Sequence, residues 1–474
     1  MQDELATLSL GFQRKGSQPI YLQLAGQIRQ MIEDGRLSEG DRLPSSRKLA
    51  DELDISRTSA LSAYDQLTAE GWLISRPAAG VFVNAARSSV KQTHESEALL
   101  TESVARRQPS VEASDLFDSG PDIEQFPFND WARCLSRVWR KPDSGLLRDR
   151  HPGGYWPLRQ AICRYLNIMR DVQCIPEQVI VTAGNRDALS LISTVLLQPG
   201  DSVWLEDPGY PPLRQGLNAA GAAAVFCGID EEGMTLPATP TQARFAWMTP
   251  TRQYPLGTWM STQRRLDWLQ LSRKQKFWLV EDDYDSEFHY RKSAAVPLFN
   301  LDHQQRVILV GSFSKVMFRT LRIGYLVAPP VLVEPLLQAQ DRLGTLASMP
   351  VQPALAEFIG HRRFASHLRR MRGCYQQRRD YLHGLLNPRL SNYLDVELPD
   401  RGMHLLVRLR PSVLVSDCWL EQQLEKQNIQ ASALSRHCHQ VKQQGLILGF
   451  SGSSEERLRE GVEVLQKLLT TTCS

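Results

Sequence analysis

The chain has 474 residues, 42 % hydrophobic and 23 % charged, with a formal net charge of +3 at pH 7. That length calls for more than one domain, and the near-neutral charge excludes a polybasic tail, so any nucleic-acid binding has to come from a local surface. No apolar run approaches the roughly 20 residues of a membrane span, and Met1 to Lys15 carries early acids without the apolar core of a secretory signal.

The eight cysteines are scattered without a C-x-x-C pair and read as reduced thiols of a cytoplasmic protein. His437-Cys438-His439 is a poor metal cluster, because adjacent residues rarely ligate one ion together, and no metal is expected.

Residues 18–84 are dense in helical pattern. Ile20, Leu24, Ile28 and Ile32 recur near helical spacing and stop before Gly35, which predicts a first helix over 20–34. Leu43-Pro44-Ser45-Ser46-Arg47 opens a short second helix reaching about Leu53, with a serine hydroxyl free to cap its first turn. Ser56 caps a third helix to about Glu70, with Ala60, Tyr64 and Leu67 on one face. Two helices joined by so short a turn make a helix-turn-helix whose later helix fits a major groove. Trp72 to Arg76, a Pro-Ala-Ala-Gly turn and Val81 to Val83 predict a two-stranded wing. Residues 1–83 hold 9 Lys and Arg against 11 Asp and Glu, so composition alone leaves a helical protein-interaction module open beside DNA binding.

Taken together, Leu43 to Ala50, Ser56-Arg57-Thr58, Ala63-Tyr64, Leu67, Glu70-Gly71 and Gly80 to Val83 resemble the winged helix of the GntR family of bacterial repressors. That resemblance implies DNA contacts from Arg47, Ser56, Arg57 and Thr58, and from Arg76 in the wing. Arginine forks suit guanine edges or phosphates, and hydroxyls at a helix N-terminus suit phosphate oxygens.

Residues 85–114 are rich in Ser, Thr, Glu and Arg and read as a flexible linker. From 115 to 474, short apolar runs (178–182, 202–205, 277–280 and 306–310) alternate with longer amphipathic stretches. This is the rhythm of an α/β domain with a largely parallel sheet. A large part is expected over about 150–345 and a small part over about 346–474. The basic run from Gly360 to Arg379 reads as the solvated face of an amphipathic helix, with a second DNA-contacting face as the alternative.

Within this domain Lys315 sits in Gly-Ser-Phe-Ser-Lys, Arg322 follows seven positions later, and an apolar run upstream ends in Glu281-Asp282-Asp283-Tyr284-Asp285. An amine nucleophile, an acid beside a phenol, and hydroxyls with an arginine are the parts needed to hold pyridoxal phosphate. Lys315 would form the Schiff base, Asp282 would keep the pyridine nitrogen protonated, and Tyr284 would bond the ring hydroxyl. Ser312, Ser314 and Arg322 would grip the phosphate. The Ala183-Gly184-Asn185-Arg186 turn into a helix is a further phosphate site, and Tyr210 follows a strand where its ring covers a flat cofactor. Gly153-Gly154-Tyr155 opens another helix and brings Tyr155 forward as an effector contact.

From Asp115 onward the sequence resembles a fold-type I aminotransferase of the class I/II group. Behind a GntR winged helix, it resembles the MocR subfamily of transcription factors. The resemblance implies a small C-terminal α+β subdomain, pyridoxal 5'-phosphate on Lys315 and a homodimer in which the winged helices are exchanged or not. Three positions depart from the pattern. Arg252-Gln-Tyr-Pro replaces His-Gln-Phe/Tyr-Pro, Phe318-Arg319 stands where a proline is usual, and Ile447 falls where amino-acid-binding relatives carry an arginine for the substrate carboxylate. Arg252 is a candidate to take over that carboxylate. The expected function is a regulator that binds promoter DNA and senses an amino compound, or pyridoxal phosphate itself, through Lys315. The alternative is an active aminotransferase with an autoregulatory DNA-binding domain.

Overall fold

The computed structural model describes residues 18–77, 79–84, 116–148, 151–237, 242–290, 296–345, 347–360 and 362–472. The linker expected over 85–114 lies outside them. The chain divides into two units, Met1–Ser110 and Val111–Ser474.

In the first unit, α1 (Ile20–Glu33), α2 (Ser46–Leu53) and α3 (Arg57–Ala69) precede a hairpin of β1 (Leu73–Arg76) and β2 (Gly80–Val83). The serines place the helix starts: Ser45 Oγ accepts from Lys48 N at 3.2 Å and Ser56 Oγ from Ser59 N at 3.0 Å. Asp54 turns left-handed at φ 47° to end α2. Leu24, Ile28, Leu49, Ala60 and Leu67 are fully buried and form the small core. Tyr64 closes it by donating its hydroxyl to the Pro44 carbonyl at 2.9 Å, which ties α3 to the turn before α2. The wing is held to that same turn, where Leu43 N donates to Val81 O at 2.9 Å.

The second unit is built on an eight-stranded sheet. Its strands are β3 (Val179–Thr182), β4 (Ser202–Asp207), β5 (Ala223–Asp230), β6 (Gly233–Met234), β7 (Ala243–Met248), β8 (Trp278–Asp283), β9 (Val307–Ser312) and β10 (Gly324–Val327). The spatial order is β3-β10-β9-β8-β7-β4-β5-β6. The β5-β4-β7-β8-β9 pairings are parallel, whereas β10 runs antiparallel between β9 and β3. The carboxyl ends of β3, β4, β7, β8 and β9 therefore share one edge with the start of β10. Gly324 there is opposite both Thr182 and Ser312, and a Cβ on it would come within 2.8 Å of the Gly311 carbonyl oxygen.

Both sheet faces are covered, which explains why the strands are continuous apolar runs instead of alternating ones. Ile180, Leu205, Trp247, Val280, Ile308 and Leu326 share one buried cluster with Leu189 and Ile192. On the other face Trp204, Ala246, Met248 and Leu279 pack with Trp268 and Leu269. Those partners lie on α6 (Asn185–Leu196) and α8 (Thr262–Gln275) in a helical series. That series also contains α4 (Phe128–Arg140), α5 (Trp156–Arg170), α7 (Pro211–Ala219), α9 (Pro330–Leu343), α10 (Gln352–Gly360), α11 (Arg362–Leu390), α12 (Asp417–Glu425) and α13 (Glu455–Thr472).

A second sheet of β11 (Leu394–Val396), β12 (His404–Leu409), β13 (Ser432–Ala433) and β14 (Gly445–Gly449) has the order β11-β12-β14-β13, all antiparallel. Residues from Leu116 belong with it: Gln430 N donates to Leu116 O at 3.1 Å and Gly449 N to Phe117 O at 3.0 Å. The expected small part over about 346–474 omits this strap, because a pairing more than 300 residues away leaves no local signal.

The basic run has the expected amphipathic helix, with Arg369 and Arg370 exposed, but several of its arginines are also anchored. On α11, Arg370 donates to Gln125 O at 2.6 Å, Arg372 to Glu287 O at 3.0 Å and Arg378 to Asp122 at 2.7 Å. These guanidinium groups stitch the helix to two other segments of the same unit, the loop at 122–125 and the turn at Glu287. Arginine's several donors make such an anchor fit where a solvated charge is expected from composition.

Candidate functional site

Loops at the shared strand edge enclose a cavity of about 320 Å³. Lys315 reaches it from the short 3-10 turn after β9, and its Nζ donates to the Ser119 carbonyl at 3.1 Å. Burial, together with the nearby Arg319 cation, lowers its ammonium to about 8. An amine so poised carries an appreciable neutral, nucleophilic fraction near pH 7.

Asp282, the penultimate residue of β8, lines the cavity. Its Oδ1 accepts from Asn185 Nδ2 at 2.7 Å and its Oδ2 from Trp247 Nε1 at 3.2 Å. Burial raises the carboxyl to about 7 against these hydrogen bonds. Among the described residues no cation pairs with it, so a cationic group entering the cavity would find a buried carboxylate waiting. That suits a protonated ring nitrogen. Asn185 Oδ1 is itself buried without a partner.

At the other end, Gly184 opens α6 with φ +97°, and the space over its α-carbon is empty to 4 Å. The first amides of the helix are thus reachable by an anion. Ser312 Oγ accepts from Ser314 N at 3.2 Å, which leaves the hydroxyl proton free to be donated. Arg186 and Arg322 line the same end, and neither forms an ion pair among the described residues. Hydroxyls, helix amides and two unpaired guanidinium groups fit a phosphate; the buried carboxyl and the amine fit the remainder of pyridoxal phosphate. Tyr210 and Tyr284 line the cavity between these ends.

The structure thus brings Gly184, Asn185, Arg186, Tyr210, Asp282, Tyr284, Ser312, Ser314, Lys315 and Arg322 into one cavity. Asn185 has a different place from the one its turn suggests: its side chain holds Asp282. The effector expectations do not fit. Arg252 is 3 % exposed and does not line the cavity; its guanidinium is paired with Asp285 at 3.1 Å and bonded to Tyr284 Oη at 3.0 Å. A group so committed is not available to an incoming carboxylate. Tyr155 lines a separate shallow cavity with Asp143 and Leu146, and its backbone amide is held by Gln352. Ile447 is buried in β14 and does not line the main cavity.

Sequence reasoning missed several wall residues. Glu206, raised to about 7 by burial, accepts from Thr249 Oγ1 at 2.6 Å. His437 hangs over the cavity because Asp207 accepts from the amides of His439 and Gln440, each at 2.7 Å. The Glu206-Asp207-Pro208-Gly209-Tyr210 run was the available signal for the first, while the 437–441 loop is some 230 residues away. Among the described residues no cluster of metal-ligating side chains converges, and no helix is long and apolar enough to cross a membrane.

In the first unit Arg47, Ser56, Arg57, Thr58 and Arg76 are all exposed. Arg57 and Thr58 begin α3, and Arg76 extends from β1 with its guanidinium 4.9 Å from the Phe82 ring centre. Arg42, exposed and bridged to Phe82, adds a cation that the motif did not flag.

Residues 20–83 match the family described as bacterial regulatory proteins, gntR family, and residues 135–465 match aminotransferase class I and II. The chain is 35 % identical over 466 residues to the probable rhizopine catabolism regulatory protein MocR of Rhizobium meliloti, covering 96 % of this chain and 94 % of that one. It is 30 % identical to the HTH-type pyridoxine biosynthesis transcriptional regulator PdxR of Corynebacterium glutamicum, covering 96 % and 97 %. Among solved structures it resembles LysN, an α-aminoadipate aminotransferase of Thermus thermophilus. The TM-score is 0.69 at 25 % identity, over 80 % of this chain and 98 % of that one.

Proposed function

The chain belongs to the MocR-type gntR-family regulators, a winged helix joined to an aminotransferase class I and II domain, and on that premise we propose that it holds pyridoxal phosphate at Lys315 and answers to what binds there. It is a transcriptional regulator with a gntR-type DNA-binding domain; such domains bind promoter DNA. The family of its second domain normally uses pyridoxal phosphate.

The observation that carries the cofactor reading is Asp282, a buried carboxyl raised to about 7 and unpaired with any cation among the described residues, on the same cavity as Lys315. When bound, pyridoxal phosphate supplies a carbonyl that reacts with primary amines. Lys315 holds the reactive amine, Asp282 holds a charge on the ring nitrogen, and Tyr284 donates toward a ring oxygen. Ser312, Ser314, Arg322, Arg186 and the start of α6 anchor the phosphate. Tyr210 covers the ring.

The signal is an amine or pyridoxal phosphate itself. Two observations support this: Arg252 is consumed by Asp285 and Ile447 is apolar, so neither position offers a grip on an α-carboxylate. A relative named for regulating pyridoxine biosynthesis points the same way. The binding event need favour one arrangement of the protein by only a few kcal/mol to change promoter affinity. The regulator acts as a homodimer on promoter DNA in the cytoplasm.

The test is an absorption spectrum of the purified protein with pyridoxal phosphate, alone and with a panel of amines, beside Lys315→Ala. A visible band that depends on Lys315 and is shifted by one amine is the expected result. Absence of any band after adding pyridoxal phosphate defeats the assignment. Sustained turnover of an amino donor with a keto acid would instead favour an enzyme that carries its own DNA-binding domain.

A further inference from the structure

We infer that Arg252 is a positioning residue that fixes the direction of the Tyr284 hydroxyl proton, turning that phenol into a one-way donor aimed into the cavity. This rests on the cofactor reading above and deepens it.

The guanidinium of Arg252 is held from several sides. Its Nη1 lies 3.0 Å from Tyr284 Oη and 3.1 Å from Asp285 Oδ2, and its Nη2 lies 3.2 Å from the His404 carbonyl. Gly402, at φ +87°, packs against it, and a Cβ there would collide with the guanidinium carbon. The fork therefore has one position available to it.

A guanidinium only donates. In the Arg252–Tyr284 contact the phenol oxygen must accept, so its own proton has to go elsewhere. Among the described residues no acceptor takes it. Lys315 Nζ, on the same cavity, donates to Ser119 and offers no lone pair while charged. Tyr284 lines the cavity, so the proton is left for an acceptor bound there. The ring hydroxyl oxygen of pyridoxal phosphate is such an acceptor.

Around Tyr284, burial and the neighbouring carboxylate outweigh the nearby cation, and the phenol stays neutral. Asp282 and Asp285 flank it on its own segment. Arg252 and Tyr254 face it from the loop after β7, Lys315 from the turn after β9, and His404 from β12. Burial raises the phenol well above its usual value, with the Arg252 cation opposing and Asp285 reinforcing. His404, kept neutral by burial and by Arg252, adds no competing charge.

A histidine at position 252 would both donate and accept as it titrates, and would leave the phenol's direction undetermined. Arginine removes that freedom. The simpler account is that Arg252 only neutralises Asp285. The two accounts differ in whether Arg252 acts through the phenol.

The experiment is a pH titration of the visible absorption of pyridoxal phosphate bound to the full-length protein. It compares wild type, Arg252→Gln, Tyr284→Phe and the double variant. A donor on the ring oxygen lowers the proton affinity of the bound chromophore. Each single substitution is therefore expected to raise the midpoint by about one pH unit, and the double variant by no more than Tyr284→Phe alone. Additive shifts would mean that Arg252 acts by charge without the phenol, and would overturn the inference. Arg252→His carries the test if Arg252→Gln does not fold. Its imidazole can accept as well as donate, so it should also raise the midpoint. A wild-type midpoint in that variant would equally overturn the inference. Wild-type protein that takes up no pyridoxal phosphate defeats the cofactor reading itself, a failure told apart by the missing band.

Discussion

Arg47, Arg57 and Arg76 of the first unit project into solvent, whereas Asp282, Glu206 and Arg252 of the second are each under 10 % exposed. Both sets are polar and both are placed by caps, turns and strand ends, yet they work differently. An exposed guanidinium acts by reach, its effect is screened by salt, and its removal leaves the fold intact. A buried carboxyl or guanidinium acts through the protonation state that burial and its neighbours impose, and its removal leaves a partner stranded. The two ends of this regulator should therefore respond to mutation, salt and pH in separable ways.

The sharpest break in that comparison is Lys315→Ala. It should abolish retention of pyridoxal phosphate while leaving promoter affinity of the ligand-free protein unchanged, as read by absorbance and by fluorescence anisotropy on the same sample. Next comes Asp282→Ala, which strips the buried carboxylate from the ring nitrogen. Losing a buried charged partner costs about 3 kcal/mol, so the dissociation constant for pyridoxal phosphate should rise by roughly 100-fold in an equilibrium titration. A change under threefold would mean that Asp282 does not meet the ring.

Arg57→Ala probes the exposed set. Promoter binding should weaken by about 1–3 kcal/mol if a base edge is contacted, or lose about one unit of salt slope if a phosphate is contacted. Uptake of pyridoxal phosphate should not move. The smallest effect is Ser56→Ala, which removes the acceptor for Ser59 N at the start of α3. The first unit should lose about 1 kcal/mol of stability in urea unfolding.

The pH dependence follows from the buried carboxyls. Asp282 and Glu206 are raised to about 7 in the folded protein, so folded protein binds more protons than unfolded protein between about pH 4 and 7. The stability that these two groups contribute to the ligand-free protein is fullest below that window and falls as pH rises through it. Bound pyridoxal phosphate supplies a cation for Asp282 and should flatten the fall. Thermal melts from pH 5 to 8, with and without pyridoxal phosphate, check both parts.

How much of this was legible beforehand depends on range. Ser45 and Ser56 announce their helices because a cap acts three residues away. The runs at 178–182 and 306–310 announce strands because burial on both faces leaves no polar alternation. Asp282, Tyr284 and Lys315 stand out because each lies at or just beyond the end of such a run, and the structure places them with Arg322 on one cavity. What was not legible comes from chain-distant pairing. Arg252 looked free for a carboxylate, but Asp285 and His404 reach it from 33 and 152 residues away. Asn185 looked like part of a phosphate turn, while Asp282 lies 97 residues further on. Arg372 and Arg378 of α11 looked solvated like Arg369, yet a carbonyl and a carboxylate on remote loops claim them. Local sequence names a side chain's donors; only the fold names its acceptors.

The most direct test of the central claim joins the two units in one measurement, the binding of promoter DNA by the full-length protein with and without pyridoxal phosphate and an amine that shifts its spectrum. The account predicts that the dissociation constant changes by several-fold in wild type and does not change in Lys315→Ala. Superimposable isotherms in wild type under all three conditions, with pyridoxal phosphate demonstrably bound, would contradict it.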